Sequence, residues 1–401
     1  MQKKNIIIAG GGFAGLSALR RLNRYRRMLA DRGYEIVLID EKDDFEFIPM
    51  LPDLIGGWLS PRRLKRSNSE LASRYGCRLI KGRIERLDPE RKTITAGAEE
   101  INYDYLIIAT GSCTNFFDNR PVRDACRKVD TIDDALKIKE ELLGLASSAP
   151  EVNVVVIGGG YTGIEAATNI LWLFRSIRTS HCHVTMVERA SDILMAVPEW
   201  MRKEARRELE KLGVIIICPD SLKSYDGHAA ALGSGLSIKA DICLWTAGVK
   251  LSDYLDGFKA EKERTRIKVA PTLKIMGQEH KDIFVAGDTA SFQDRRAGRA
   301  IRMAVMFSMG QGKVAAENIV RSILNKRLVE YKVLDLGYLI PMAHGKAPGI
   351  VLGMRVHGFL GYLLHYLMCI YRSEWKNRFG IVKDLAVKMA VATVIKKRGV
   401  S

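Results

Sequence analysis

One glycine pattern, present twice at the same spacing, limits this chain more than any other feature. Asn5 to Ala9 is a short apolar run expected to form a buried strand, and it ends in Gly10, Gly11, Gly12, Phe13, Ala14 and Gly15, with helical periodicity following from Leu16 to Leu29. In such a turn the first glycine permits the bend, the second lets a pyrophosphate approach the backbone, and the third lets helix pack on strand. The helix then presents its amino terminus to a phosphate. A second strand, Glu35 to Ile39, ends at Asp40, where a carboxylate suits ribose hydroxyls.

The unit recurs from Val152 to Ile157, through Gly158, Gly159, Gly160, Tyr161, Thr162 and Gly163, to a strand His183 to Val187 closed by Glu188. Gly10 to Asp40 spans 30 positions, and so does Gly158 to Glu188. Two complete units predict two dinucleotide sites, and two such sites in one chain imply that one cofactor reacts with another, as in a flavin fed by a nicotinamide. A carboxylate at the ribose 2′ position favours NADH over NADPH, while Arg189 beside Glu188 offers a guanidinium that a 2′-phosphate would also suit.

At 401 residues the chain has room for more than one core, and 47% hydrophobic with 27% charged residues excludes a disordered or collagen-like chain. The balance of 63 Lys and Arg against 46 Asp and Glu, a formal +17, calls for an anionic partner such as nucleic acid, anionic lipid or a phosphorylated ligand. No nucleic-acid-binding module accompanies the dispersed cations, so no nucleic acid is expected. The seven cysteines lie too far apart for a CxxC pair or a zinc ligand set, which predicts no metal and a reducing, cytoplasmic-facing compartment. The most apolar stretch, Gly358 to Tyr371, is too short for a bilayer span of about twenty residues.

Three further segments make a resemblance specific: YDYLIIATGSCTN at Tyr103 to Asn115, ADICLWTAGV at Ala240 to Val249, and DIFVAGD at Asp282 to Asp288. With the two glycine turns in this order, the chain resembles the two-dinucleotide-binding-domain flavoprotein reductases of the pyridine nucleotide-disulfide oxidoreductase superfamily. Among these it looks most like type II NADH dehydrogenases, non-pumping NADH:quinone oxidoreductases bound to one membrane face. The resemblance implies that Gly10, Gly12, Gly15, Asp40, Thr110, Gly111 and Asp288 hold FAD, and that Gly158, Gly160, Gly163, Glu188 and Gly248 hold NADH as substrate. It also implies a catalytic place for Glu165 near nicotinamide and flavin. Read from residue type alone, Asp288 could instead cap a helix, and Glu165 could be a dipole-compensating acid.

The family's quinone pocket uses two glutamines in an AQxAxQ pattern. Anchored on Gln311 and Gly312, those positions hold Met306 and Gly310 here, so the acceptor pocket expected around Met306, Gly310 and Gln311 lacks both side-chain amides. The identity of the acceptor is left open by this departure. A sulfide:quinone reductase is the related alternative, yet no cysteine lies between Cys243 and Cys369, where that group places one. A flavin- and NADH-binding subunit that docks to a protein without quinone turnover is the alternative from another class.

Lys332 to Ser401 carries eleven basic and three acidic side chains. Phe359, Tyr362, Leu363, Tyr366, Leu367 and Ile370 form a helical stripe, a basic turn follows at Arg372, Lys376 and Arg378, and Ile381 to Ile395 continues as a second amphipathic segment. Such a stripe suits a membrane surface, with residues 359–401 meeting anionic lipid; a dimer interface, giving a homodimer, or a core helix would use the same pattern. The expected fold is α/β, with two Rossmann-like domains: FAD-binding at 1–120 and 265–330, NADH-binding at 121–264, and a C-terminal amphipathic membrane-associating region at 331–401. The expected activity is hydride transfer from NADH to FAD and electron transfer to a membrane quinone or similar lipid-soluble acceptor, on the cytoplasmic side of the membrane.

Overall fold

A computed structural model describes residues 3–178, 181–276, 282–295 and 297–397. The fold is mixed α/β and divides into two compact units: Met1–Phe45, Arg66–Cys113 and Val249–Asp335 form the first, and Glu46–Lys65, Thr114–Gly248 and Leu336–Ser401 the second.

The first unit is built on a five-stranded sheet ordered Ile283–Val285, Tyr105–Ile108, Lys4–Ala9, Tyr34–Asp40, Arg78–Lys81. Every pairing is parallel, with Ile6 opposite Ile36 and Ala9 opposite Ile39. Parallel strands are covered on both faces, which is why Ile6, Ile7 and Ile8 run without alternation and are wholly buried. From the central strand the chain moves first to Tyr34–Asp40 and Arg78–Lys81 on one side and later to Tyr105–Ile108 on the other. The glycine turn therefore lies at the point where strand order reverses, the ligand-binding crevice of open α/β sheets. The helix Phe13–Asn23 buries Ala14, Leu16, Ala18, Leu19 and Leu22 and packs along Val305–Ile323.

The second unit repeats the design: Arg127–Lys128, Ile242–Trp245, Glu151–Ile157, His181–Val187, Ile215–Ile217, again all parallel. Its order also reverses at the central strand, between Glu151–Ile157 and Ile242–Trp245. The helix Ile132–Ser148 opens with a capping box, Thr131 Oγ1 accepting from Asp134 N and the Asp134 carboxylate accepting from Thr131 N. The helix Tyr161–Ile177 is buried along most of its length, since Leu51–Ile55 and Trp375–Lys397 pack against it within the same unit.

Two local expectations are corrected. The helix foreseen over Leu16 to Leu29 is two helices, Phe13–Asn23 and Arg26–Asp31, interrupted at Tyr25. Tyr25 Oη donates to Glu317, which also accepts from Arg21. The basic turn foreseen at Arg372 to Arg378 is only Ser373–Glu374, because a single helix Trp375–Lys397 already includes Lys376 and Arg378. No described helix is long and apolar enough to cross a membrane. Arg398 and the rest of 398–401, assigned above to the lipid-facing segment, lie outside the described residues.

Candidate functional site

In the first unit, Gly11 N donates to Asp40 Oδ2 at 2.5 Å and Lys42 N donates to Asp40 Oδ1 at 2.8 Å. Burial pushes the Asp40 carboxyl up and the two amides oppose it. A Cβ at Gly15 would lie 1.8 Å from Gly10 O, so only glycine lets this helix meet its strand, whereas a Cβ at Gly12 would meet open space. Gly312 makes the corresponding contact from the helix Val305–Ile323, with a Cβ there 2.0 Å from Ala14 O.

Three more predicted residues converge in the same unit. Thr110 Oγ1 lies 3.1 Å from Tyr254 Oη, Thr289 Oγ1 donates to Gly111 O at 3.1 Å, and Ser308 Oγ donates to Asp288 Oδ1 at 3.4 Å. The turn after Tyr105–Ile108 is thereby tied to the Gly287–Asp288 turn. Asp288 is raised by burial against the pull of Arg266. Gln311 is 1% exposed; its Oε1 accepts from Gly287 N at 2.7 Å and its Nε2 has no partner.

Met306 is half-buried on the same helix, but Gly310 does not line open space: a Cβ there would fall 2.9 Å from the Tyr331 ring. Tyr331 fills the volume that a glutamine would need, and Gln311 is turned to the Gly287 backbone. Of the three residues expected around an acceptor, one is committed to the Gly287–Asp288 turn and one is covered.

In the second unit, Gly159 N donates to Glu188 Oε2 and Ala190 N to Glu188 Oε1, both at 2.7 Å. A Cβ at Gly163 would lie 2.0 Å from Gly158 O, and one at Gly160 would meet nothing. A Cβ at Gly248 would strike the Phe117 ring at 2.6 Å, and the Arg189 guanidinium lies over that ring at 5.7 Å. The exposed Phe117 side chain beside this turn is not among the residues expected from the sequence.

Glu165 is half-buried on the helix Tyr161–Ile177, where burial and the neighbouring Asp53 carboxylate raise it well above the usual range. It belongs to a polar cluster that sequence reasoning missed. Asp53, 5% exposed, accepts from Tyr366 Oη at 2.7 Å. Lys388, 2% exposed, has no hydrogen-bond partner, and its Nζ lies 4.5 Å from the Trp58 ring centroid, 5.4 Å from Trp172 and Tyr362, and 5.7 Å from Tyr366. Burial raises Asp53 to about 6 and lowers Lys388 to about 8, each charge opposing the other's shift. Lys388 is one of the eleven basic side chains of Lys332 to Ser401, and the structure puts it inside. The available signal was Asp53 itself, one carboxylate in the apolar run Met50 to Ile55.

Comparison with known proteins finds relatives over nearly the whole chain. The demethylphylloquinone reductase NdbB of Synechocystis is 24% identical over 94% of this chain and 95% of its own length. A type II NADH:quinone oxidoreductase of Haemophilus influenzae is 25% identical over 86% of each chain. In fold, the chain matches NDH2 from Plasmodium falciparum, solved in complex with NADH, at a TM-score of 0.80 and 18% identity over 96% of this chain and 97% of that one. It also matches the sulfide:quinone oxidoreductase of Aquifex aeolicus at 0.76 and 17% identity, over 94% and 92%. Residues 4–312, which carry both glycine turns and both acid-closed strands, match the family model described as pyridine nucleotide-disulphide oxidoreductase, and the chain belongs to that family.

Proposed function

We infer that this protein is a non-pumping NADH:quinone oxidoreductase with a resident flavin, FAD. The observation that carries the reading is the doubled cradle: two glycine turns at strand-order reversals, each with its second amide bonded to the acid that ends the next strand. The likeness to quinone reductases over nearly the whole chain supports the acceptor class.

The residues of the first unit fit a flavin dinucleotide. Gly12 leaves room for a pyrophosphate, the Asp40 oxygens keep lone pairs for ribose hydroxyls beyond the two amides they accept, and the orphaned Gln311 Nε2 is a buried donor in need of an acceptor. Gly10, Gly15, Thr110, Gly111 and Asp288 complete that cradle. The chemistry a flavin supplies when bound is acceptance of a hydride and release of two electrons. Gly158, Gly160 and Gly163 hold the NADH pyrophosphate, with Gly248 beside Phe117. Glu188 faces the adenosine ribose and repels a 2′-phosphate, and Arg189 lies over Phe117, so NADH is the donor.

Peripheral membrane attachment is supported by the C-terminal helices. Phe359, Leu360, Leu367, Tyr371, Trp375 and Phe379 are exposed, the last three at 74%, 79% and 81%, and Arg378 lies over both Tyr371 and Trp375. Aromatic side chains beside cations suit the headgroup boundary of an anionic leaflet. The seven cysteines are free, in keeping with the cytoplasmic face. Because Tyr362, Tyr366, Ile381 and Leu385 are buried, deleting residues 359–401 would open the core. The double variant Trp375→Glu, Phe379→Glu is the cleaner probe, and it is expected to release the protein from anionic vesicles while sparing bleaching of the flavin by NADH.

The loss of both pocket glutamines favours one second reading, a flavin subunit without quinone turnover. Steady-state NADH oxidation with a short-chain quinone, with sulfide and with a soluble dye separates them. Sustained turnover with the quinone is expected; bleaching by NADH without quinone-dependent reoxidation establishes the second reading instead.

A further inference from the structure

Two consecutive residues of the second unit, Phe117 and Asp118, stand in the left-handed region at φ 51° and 59°. For a side chain as bulky as phenylalanine that conformation is a genuine outlier, and it persists only where the surroundings over-determine it. Here they do. Phe117 N donates to Asn115 Oδ1 at 2.8 Å, Asn115 N donates to Gly248 O at 3.3 Å, and Trp245 Nε1 donates to Asn115 O at 3.0 Å. Phe116 stacks on Trp245 with ring centroids 5.5 Å apart, and the Phe117 ring meets the same indole edge-on at 6.4 Å. Gly248, at φ 76°, leaves the space in which the tip of the Phe117 ring sits. All of this fixes the ring without burying it, since Phe117 is still 52% exposed. The strain serves the open face of the ring rather than the core.

What lies over that face is the Arg189 guanidinium, 5.7 Å from the ring centroid. Arg189 follows the acid that closes the strand His181–Val187, and its backbone is held from both sides, because Glu188 accepts from Gly159 N and from Ala190 N. Its side chain is exposed, and among the described residues no carboxylate pairs with it. An arginine beside the ribose acid is the residue type that receives a 2′-phosphate. Here it turns the other way. His181–Val187 and Ile242–Trp245 flank the central strand that carries the second glycine turn, so the guanidinium reaches from one flank of that turn toward the Gly248 side.

We propose that Phe117 is a specificity-determining positioning residue: its exposed ring holds Arg189 away from the ribose 2′ position, so that a dinucleotide in the second cradle meets Glu188 alone and NADH is taken in preference to NADPH. This rests on the reading of that cradle as the NADH site. A released guanidinium would offset the repulsion between Glu188 and a 2′-phosphate and offer it paired N–H donors. A 2′-hydroxyl asks for neither, so the ring acts on the phosphorylated ligand only. A cation over an exposed ring is held by about 0.5–1 kcal/mol, which at about 1.4 kcal/mol per decade is a two- to fivefold bias against the 2′-phosphate.

The test uses the full chain with flavin bound and titrates NAD⁺ and NADP⁺ by calorimetry, since the oxidised protein binds both without turnover. The ratio of the Kd for NADP⁺ to that for NAD⁺ should exceed one in the wild type and fall two- to fivefold in Phe117→Leu, which keeps apolar bulk and loses the π face. Phe117→Tyr keeps the face and should retain the wild-type ratio. In an Arg189→Ala background, Phe117→Leu should leave the ratio unchanged, because there is no guanidinium to release. A ratio that Phe117→Leu does not move, or that falls equally with and without Arg189, overturns the proposal. Equal weakening of both nucleotides overturns it too, and makes Phe117 a stacking platform for the adenine they share. The wild-type chain gives a second readout should Phe117→Leu fail to fold: the Arg189 Nε–H resonance should be shifted upfield by the ring and stay so with NAD⁺ bound, and an unshifted resonance refutes the holding role. A wild type that binds neither nucleotide overturns the NADH reading of the cradle instead, and the same resonance in the free protein still decides whether Phe117 holds Arg189.

Discussion

The two glycine turns are nearly superimposable in chemistry and differ in what leans on them. Each has an acid accepting two backbone amides and a third glycine at backbone contact with the first. Yet the helix after the first turn meets another helix backbone to backbone, Gly312 against Ala14, and the helix after the second is wrapped by Leu51–Ile55 and the C-terminal helix, which bring Asp53 and Lys388 beside Glu165. On the reading proposed above, the repeated turn thus specifies only that a pyrophosphate is held. What each cradle serves is decided by the partner of its helix.

The most severe way to break the comparison is to fill the contact that only one cradle has. Gly312→Val places side-chain atoms where Ala14 O sits, and overpacking of this kind costs about 1–3 kcal/mol or more. We expect loss of the yellow flavin spectrum and a fall of several degrees in Tm by calorimetry. Gly163→Val in the second cradle should leave the spectrum intact and raise the Kd for NADH at least a hundredfold, read by fluorescence quenching.

Swapping the acids for amides should have a smaller effect. Glu188→Gln turns one amide NH₂ toward a backbone N–H, and an unsatisfied buried donor costs about 1–3 kcal/mol. The KM for NADH should rise roughly tenfold, on the scale of about 1.4 kcal/mol per decade, and the preference over NADPH should narrow. Asp40→Asn should instead raise the rate of flavin loss on dialysis, with nicotinamide discrimination unchanged.

The smallest effect is a slope. Because burial raises Asp40 above its unfolded value, the folded state binds a proton more tightly, and stability declines as pH rises from the ordinary carboxylate range through the raised one. Tm of the flavin-free protein, followed from pH 3.5 upward, should show this decline, and Asp40→Asn should make it shallower, the raised Asp53, Glu165 and Asp288 carboxyls keeping the remainder.

Both cradles were legible in sequence because a glycine turn is a local device: bend, close approach and closing acid lie within 30 positions. The strands flanking them were placed to within two residues for the same reason. The Asp53 cluster was not legible, since its members come from Leu51–Ile55, Tyr161–Ile177, Gly358–Arg372 and Trp375–Lys397, and nothing in the periodicity of Ile381 to Ile395 says that its one inward cation would be boxed by four rings. Gly310 fell between these cases. Its departure from the family pattern was visible, but its physical reason, the Tyr331 ring, lies outside the motif.

The contact between Gly312 and Ala14 also sets a timetable. The first cradle begins at residue 10, but the strand Ile283–Val285, the Gly287–Asp288 turn and the helix carrying Gln311 that complete it arrive nearly three hundred residues later. A chain leaving the ribosome at about 5–20 residues per second therefore spends tens of seconds with its amino-terminal turn made and its flavin site open. The second cradle, from Glu151 to Trp245, is contiguous and can close first. With the flavin in the first cradle, as proposed above, its loading is a late event governed by completion of the polypeptide.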